Sequence, residues 1–376
     1  MTNLLFTNLG LCRGREPEYK YYTRFCKITG IAFDNPNKHA EIRYTNINVI
    51  FSKVEPIFFI DPIKVFRGEF SVTSLATFTG VTEHIKNAEV IVTQDPNFFS
   101  YGITKEAIKR NKPVVMINFE NVLNKSIFDL YPYRLATNYV IKNSDLIIPQ
   151  TLQAEKYLEK KGVKKDSLEM IYPGIDIDLF KPIDNKDMKE HDKINFLYVG
   201  TLTKSRSVVE LLESYAIVEK ELINTKLTIV GKGEYKEMLN EYKMKYNIIH
   251  LENIYPNTLS QIYRDSDVFV FLSRPRFFLG STINEEQLSF AILEAMSSGL
   301  PIITTKYGSL PEVVGKDNFQ VDPTNVKEIS NTMLMLAKNY ELRKKIGNVN
   351  RKRAIEKFDA KKQSEIFIKK ILTFYS

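Results

Sequence analysis

Two carboxylates eight positions apart, Glu286 and Glu294, stand in the run EEQLSFAILEAMSSGLPII at residues 285–303. A carboxylate offers two acceptor oxygens and can take two hydroxyl hydrogen bonds at once, which suits the diols of a ribose or a hexose. The pattern between and after them predicts a helix from about Phe290 to Ser298, with Ser289 as N-cap, Gly299 as terminator and Pro301 forbidding continuation. The amides around Gln287, Leu288 and Ser289 then lie at a helix N-terminus. Unpaired N–H groups and the positive end of the helix dipole bind anions there without any side chain. Glu286 precedes this helix in the loop that leaves the strand DVFVFLSRP, and Glu294 sits about one turn in, inside an otherwise apolar stretch.

Other residue types suited to a phosphorylated ligand occur upstream. Gly231 and Gly233 follow the strand LTIV and, lacking Cβ, let backbone approach a nucleotide closely. Lys204 and Arg206 follow Gly200 and Thr201 at the end of the strand INFLYVG and supply cations. Two Asp-x-Asp triplets, Asp176-Ile-Asp178 and Asp265-Ser-Asp267, have the form of a divalent-metal site, but the first falls in a turn and the second just ahead of a strand. Both are accounted for without a metal, and no metal or other cofactor is expected.

The elements that must position these groups alternate along the chain. Strands are expected at NLLFTN, AEVIVTQ, PVVMINF, DLIIPQ and LEMIYP, with helices near 17–29, 69–87, 100–111, 126–142 and 151–161. The segment 40–66 is less regular and is read as an extra hairpin. After the charged stretch FKPIDNKDMKEHDK the alternation restarts through INFLYVG, KLTIVG, NIIHLE, DVFVFLS and PIITT. Such alternation predicts an α/β chain with two Rossmann-like lobes, each a parallel sheet covered by helices, facing a central cleft. The expected organisation is a first lobe at 1–183, a linker at 184–193, a second lobe at 194–357 and a final helix at 358–376 crossing back to the first lobe.

Glu286, seven residues, Glu294, then AMSSGLPIITTKYGSLPEVV resembles the pattern of the retaining glycosyltransferases of family 4, of the group 1 glycosyl transferases. YPGIDIDLFKP, YVGTLTKSRSVVELLESY, LTIVGKGEYKEML and YRDSDVFVFLS are similar to further segments of that family in the same order. The resemblance implies the two-lobed GT-B fold, with the second lobe holding a nucleotide-diphosphate sugar and the first carrying the acceptor. It implies contact of Glu286 with the transferred sugar and of Glu294 with the ribose. Arg206 stands in the place of the family's phosphate-binding lysine. With the amides near Gln287, Leu288 and Ser289, Arg206 and Lys204 then neutralise the departing diphosphate without metal. The chain departs from the pattern in three places. Gln287, Leu288 and Ser289 replace two glycines around an aromatic, Thr201 replaces an arginine, and Asn118, Phe119 and Glu120 stand where a first-lobe histidine is usual. On the acceptor side, Asn8, Gly10 and Gly14 follow the first strand. The activity implied is hexosyl transfer with retention to a glycan, lipid-linked or protein-linked acceptor. The alternative is a catalytically silent protein of this fold that binds a nucleotide sugar or partners another transferase.

Composition sets the remaining bounds. The chain has 376 residues, 43% hydrophobic and 26% charged, which fits two globular domains. Its two cysteines and four histidines make neither a disulfide framework nor a histidine-rich metal site. A formal charge of +8 favours anionic partners, and much of it falls in KNYELRKKIGNVNRKRAIEKF. That run reads as a solvated helix face or as a contact with an anionic membrane surface. No aromatic platform or nucleic-acid module accompanies it, so nucleic acid is not expected as a partner. The aromatic-rich EPEYKYYTRF is read as helix packing or as an acceptor face. No apolar run is long enough to cross a bilayer, and the start lacks a basic leader. The expected place is the cytoplasm, peripheral at the inner membrane face.

Overall fold

The structure, a computed structural model, describes residues 2–7, 16–33, 47–52, 54–56, 76–78, 80–124, 126–182, 193–278 and 280–375. Asn8, Gly10, Gly14 and the expected linker at 184–192 lie outside these residues. The chain divides into two compact units, residues 1–174, 278–283 and 361–376 in one, and 175–277 and 284–360 in the other.

The first unit holds β1 (Asn3–Thr7), β2 (Lys27–Phe33), β3 (Asn48–Ser52), a short antiparallel pair β4 (Val54–Pro56) and β5 (Ala76–Phe78), then β6 (Val90–Gln94), β7 (Val114–Asn118) and β8 (Leu146–Pro149). Six of these form one parallel sheet in the order β3-β2-β1-β6-β7-β8. Strands such as VVMIN are buried along their whole length, the pattern of a parallel sheet covered on both faces. Helices α1 (Glu16–Tyr22), α2 (Thr82–Asn87), α3 (Phe98–Ile108), α4 (Tyr133–Lys142) and α5 (Leu152–Lys160) lie between the strands. Polar caps start two of them: Asn97 accepts the Ser100 N–H and Thr151 accepts the Ala154 N–H.

Several elements differ from expectation, each for a local reason. The helix expected over 17–29 stops at Tyr22, because KITGIAF pairs with β1 as a strand. Its Tyr19 and Tyr22 are buried against Phe6, so the aromatic run packs into the core. The helix expected over 126–142 begins only at Tyr133, since Pro132 disfavours helical backbone at the residue before it. LEMIYP is not a strand of the sheet; Leu168 makes a single bridge to Ile147. Of the segment 40–66, residues 40–46, 53 and 57–66 lie outside the described residues; among those described, β3 joins the sheet parallel to β2 and β4 pairs with the distant β5.

The second unit is built on β9 (Ile194–Val199), β10 (Thr225–Val230), β11 (Ile248–Leu251), β12 (Val268–Val270), β15 (Ile302–Thr304) and β16 (Phe319–Gln320). They form a parallel sheet in the order β11-β10-β9-β12-β15-β16. Between β12 and β15 the chain makes a separate two-stranded sheet of β13 (Arg276–Phe278) and β14 (Ser281–Asn284). The helices are α6 (Val208–Glu221), α7 (Lys236–Lys243), α8 (Pro256–Arg264), α9 (Phe290–Ser297), α10 (Leu310–Val314), α11 (Val326–Lys338) and α12 (Tyr340–Lys357). Strand order reverses between β9 and β12, which makes their carboxyl ends the topological switch point where ligands bind in open α/β sheets. Helix α13 (Ala360–Tyr375) follows, and its Phe367, Ile368 and Ile371 belong to the core of the first unit with Leu4 and Phe6.

The basic run of α12 is partly structural. Arg343 is buried and donates to the Leu336 and Ala337 carbonyls. Arg351 donates to the carbonyls of Ile177, Phe180 and Ser297, which fastens the turn at 177–180 to the end of α9. Arg353 donates to Val313 and Glu312. The exposed remainder is Lys344, Lys345, Lys352 and Lys357.

Candidate functional site

The site builds outward from the switch point of the second sheet. Parallel strands in register carry their following loops out side by side, and Val199 pairs with Val230. The next residues, Gly200 and Gly231, therefore meet: a Cβ at Gly231, whose φ is +148°, would lie 1.8 Å from the Gly200 carbonyl oxygen. Gly233 is equally constrained, with a Cβ 2.3 Å from the Leu202 oxygen, while the Leu202 N–H donates to the Lys232 carbonyl. Backbone-to-backbone approach is thus the physical reason for these two glycines. Thr201 is exposed, and its carbonyl accepts the Tyr198 hydroxyl at 2.6 Å.

A single 3-10 turn, Lys204–Arg206, leads into α6 and aims Arg206 at β12. The guanidinium lies over the Phe271 ring, 4.8 Å from its centroid, and donates to the Ser273 hydroxyl at 3.2 Å. It also forms an ion pair with Glu286. Ser273 in turn donates to Glu286 at 3.0 Å, and Thr305 donates to the Ser273 carbonyl at 2.7 Å. The two groups expected to act on the sugar and on the phosphate are therefore in direct contact, joined by a serine the sequence reading had not singled out. Burial lowers the Arg206 pKa, against an opposing pull from Tyr198 and with a smaller push from Arg276. A guanidinium nonetheless stays charged at any physiological pH.

Glu286 is held by its backbone as well. Its carbonyl accepts the Ser309 N–H at 2.9 Å, and Gly308, at φ +60°, passes so close that a Cβ would stand 2.0 Å from that oxygen. Lys204, by contrast, has an exposed side chain, and its backbone is what the structure uses. Its N–H donates to Glu234 at 3.0 Å and its carbonyl accepts from Arg274 at 2.8 Å. Arg274 also pairs with Glu210 at 3.0 Å, which locks the turn onto α6.

Helix α9 begins at Phe290 with Ser289 in the N-cap position, as the spacing predicted. The serine side chain makes no capping bond, so the first-turn amides retain their positive end. Gln287 and Leu288 are half-buried, and neither appears among the residues with positive φ. Glu294 is only 8% exposed, and the Tyr263 hydroxyl of α8 donates to its carboxylate at 2.8 Å. That partner is what allows a charge in an apolar helix. Burial, reinforced by Glu294, raises Tyr263 well above its ordinary pKa and keeps it a donor. The helix ends where predicted: Gly299 has φ +75°, and its carbonyl packs so tightly on α12 that a Cβ at Gly347 would fall 2.1 Å from it.

The Asp-x-Asp triplets have structural uses. Asp176 accepts the N–H groups of Asp178 and Leu179, and Asp267 accepts the Asn195 N–H at 2.8 Å. Among the described residues no group of three His, Cys, Asp or Glu is placed to hold a metal ion.

In the first unit Asn118, Phe119 and Glu120 come at the end of β7, but they are 0%, 6% and 5% exposed. Asp95 accepts the Phe119 and Glu120 N–H groups at 2.6 and 3.0 Å, and the Asn118 amide donates to the Glu120 carbonyl at 3.0 Å. Burial and the neighbouring Asp95 push the Glu120 carboxyl up to about 8, against the Val122 and Asn121 amides and Lys161.

A two-unit chain with parallel Rossmann-like sheets and a cation–carboxylate pair at one switch point has the GT-B architecture. Solved structures share it. The Anabaena protein HepE in complex with UDP and glucose superposes with a TM-score of 0.74 over 99% of this chain and 100% of that one, at 14% identity. WaaG, a glycosyltransferase involved in lipopolysaccharide biosynthesis, gives 0.66 over 98% of both chains, also at 14% identity. Among curated proteins, sulfoquinovosyl transferase SQD2 of Arabidopsis thaliana is 25% identical over 72% of this chain and 54% of its own length. The capsular polysaccharide biosynthesis glycosyltransferase CapM of Staphylococcus aureus is 26% identical over 69% of this chain and 65% of its own. The matches thus span about half to two thirds of these relatives. Residues 180–353 match the family described as glycosyl transferases group 1.

Proposed function

We propose that the chain is a retaining, metal-independent glycosyltransferase that moves a hexose-type sugar from a nucleotide-diphosphate sugar to a glycan, lipid-linked or protein-linked acceptor. The observation that carries this reading is the Arg206–Ser273–Glu286 constellation at the carboxyl ends of β9 and β12. Donor phosphates compete with Glu286 for the guanidinium, and this exchange frees the carboxylate to accept sugar hydroxyls. As the glycosidic bond breaks, charge grows on the departing diphosphate. Arg206, fixed over Phe271, and the uncapped amides of α9 face that charge without having to reorganise. The departing phosphate oxygen takes the acceptor's proton, so attack comes from the leaving-group face and configuration is retained. Glu294, oriented by Tyr263, holds the ribose. UDP and glucose in the complex of HepE, whose fold is shared, support a nucleotide sugar as donor.

The test is a thermal-shift screen across nucleoside diphosphates and their sugars, followed by NMR of the anomeric product. A stabilising nucleotide, turnover of its sugar and a retained anomer are expected. No stabilisation by any nucleotide overturns the reading, and stabilisation without turnover of any donor selects the silent binding protein instead.

A further inference from the structure

Strand β11 stands at the end of the second sheet's strand order, beside β10. Their register runs from Leu227↔Ile248 to Val230↔Leu251, and the Gly231 N–H adds a bond to the Leu251 carbonyl at 2.9 Å. A parallel ladder would next bring the Asn253 N–H to the Gly231 carbonyl. Asn253 instead has a left-handed backbone, φ +55°, and the chain turns away toward α8. A side chain takes that carbonyl: His250 Nε2 lies 2.7 Å from it. The Glu252 carboxylate, paired with Lys236 at 2.8 Å, stands 3.8 Å from the same nitrogen. Both groups facing Nε2 are acceptors, so the tautomer assigned from them carries its proton on Nε2 and donates. The imidazole is 6% exposed, while Ile249, on the other face of the strand, is 40% exposed.

We propose that His250 is a positioning residue that fixes the Gly231–Gly233 turn in the shape a nucleotide donor meets. The turn is supported from two sides. On one, Leu202 donates its N–H to the Lys232 carbonyl at 3.0 Å and accepts the Tyr235 N–H at 3.3 Å. On the other, both backbone polar groups of Gly231 are bound to β11, the N–H by Leu251 and the carbonyl by His250. These two groups belong to the peptide planes before and after Gly231. Together they hold its φ at +148°, an angle that glycine, with no Cβ, does not enforce by itself. Without the histidine bond, the plane between Gly231 and Lys232 is free to turn. The Lys232 N–H lies in that plane, antiparallel to the carbonyl, so His250 also sets the direction of this donor. The inference rests on the proposed function in taking the turn as part of the donor site. That His250 holds the turn stands on the contacts alone.

The experiment is amide hydrogen exchange on the full chain without ligand, followed by titration with the diphosphates of uridine, guanosine and adenosine. His250→Leu keeps the bulk and removes the donor. It is expected to speed exchange at Leu202, Gly231 and Tyr235, whose amide bonds tie the turn down, by about tenfold. Amides of β1, in the other unit, are expected to keep their wild-type rates. His250→Gln offers an amide N–H near the place of Nε2 and is expected to restore all three rates. Ile249→Ser, on the opposite face of the same strand, is expected to change none of them. The diphosphate that binds the wild type should bind His250→Leu about tenfold more weakly and His250→Gln unchanged, and with its sugar donor KM should rise while kcat holds. Imidazole ¹⁵N spectra of the wild type, with His250 assigned by its loss in His250→Gln, keep the test open if the leucine variant fails to fold. A neutral ring with its proton on Nε2 is expected there, and a proton on Nδ1 overturns the proposal. Wild-type exchange in His250→Leu, equal acceleration in Ile249→Ser or in β1, or no rescue by glutamine overturns it as well. So does faster exchange with unchanged diphosphate affinity, since the histidine then serves only the sheet edge. A wild type that binds none of the diphosphates overturns the proposed donor site instead, and the exchange rates still decide whether His250 holds the turn.

Discussion

Removing Arg206 separates its ion pair with Glu286 from the role that the proposed function gives the same side chain. Under the proposed function Arg206→Ala deletes an oriented cation that faces the departing diphosphate, and loss of one such stabiliser should lower turnover by about 10²–10³, or about 3–4 kcal/mol in the barrier. It also breaks an ion pair whose carboxylate is 8% exposed. Removing one partner of a fully buried pair costs about 3–5 kcal/mol. The Arg206 side chain is 26% exposed, so screening reduces this to roughly 2–3 kcal/mol. For a domain of this size that is a fall of roughly 5–10 °C in the melting temperature. Arg206→Ala with Glu286→Gln removes the uncompensated charge, so the double variant should regain most of the lost stability and none of the lost turnover. Arg206→Lys keeps the charge without the planar fork or the fit over Phe271, and should fall between wild type and alanine. The assay is kcat on the donor identified by the thermal-shift screen, beside unfolding scans of all four proteins. Wild-type kcat in Arg206→Ala refutes the assignment, and recovery of turnover in the double variant shows that Arg206 served only to balance Glu286.

Gly308→Ala should place a Cβ against the Glu286 carbonyl in a left-handed backbone and lower kcat by about tenfold or more, with a stability loss on the order of 1–3 kcal/mol; unchanged kinetics would detach Glu286 from the loop that holds it. Ser207 sits at φ +46° with its buried hydroxyl lacking a partner, so Ser207→Gly should raise stability by about 1 kcal/mol in a denaturation series. Turnover should persist in EDTA, and strict dependence on manganese or magnesium removes the metal-free reading. Glu120, with its carboxyl at about 8 against an ordinary 4.5, holds its proton in the folded state over that interval while the unfolded chain releases it. Its contribution is intact below about pH 4.5 and falls as pH rises to about 8, by an amount on the order of a few kcal/mol, so melting scans should show a decline that Glu120→Gln flattens; equal slopes in both proteins contradict it.

The alternating apolar runs made both sheets legible, because buried parallel strands must be nearly continuous Val, Ile and Leu. The site's ends were legible too: Glu286, Glu294, Ser289 and Gly299 announce a helix and its approach through side-chain chemistry that acts within a few residues. What stayed hidden depends on distant pairing. Ser273 and Tyr263 are a serine and a tyrosine like any others until β12 and α8 carry them to Glu286 and Glu294, 13 and 31 positions away in sequence. KITGIAF was absorbed into a helix because only its pairing with β1 decides between the two periods. The arginines at 343, 351 and 353 read as surface charge, yet they bind carbonyls, because long side chains on a basic helix can fold inward when unpaired backbone oxygens lie nearby.

That same dependence on distant contacts changes the meaning of the substitutions after Glu286. Glycine in this segment serves where backbone must adopt positive φ or come very close to another group. Here neither Gln287 nor Leu288 has positive φ, so the side chains impose no backbone strain on the loop. The tight approach instead falls on Gly308, across the segment from Glu286, and on Gly231 against Gly200. With its carbonyl fixed by Ser309 and its carboxylate by Arg206 and Ser273, Glu286 is held from both ends. Gln287 and Leu288 can then differ without moving it, and under the proposed function their half-buried side chains line the surface offered to the donor sugar. Substitution there should change which sugar is accepted before it changes whether transfer occurs.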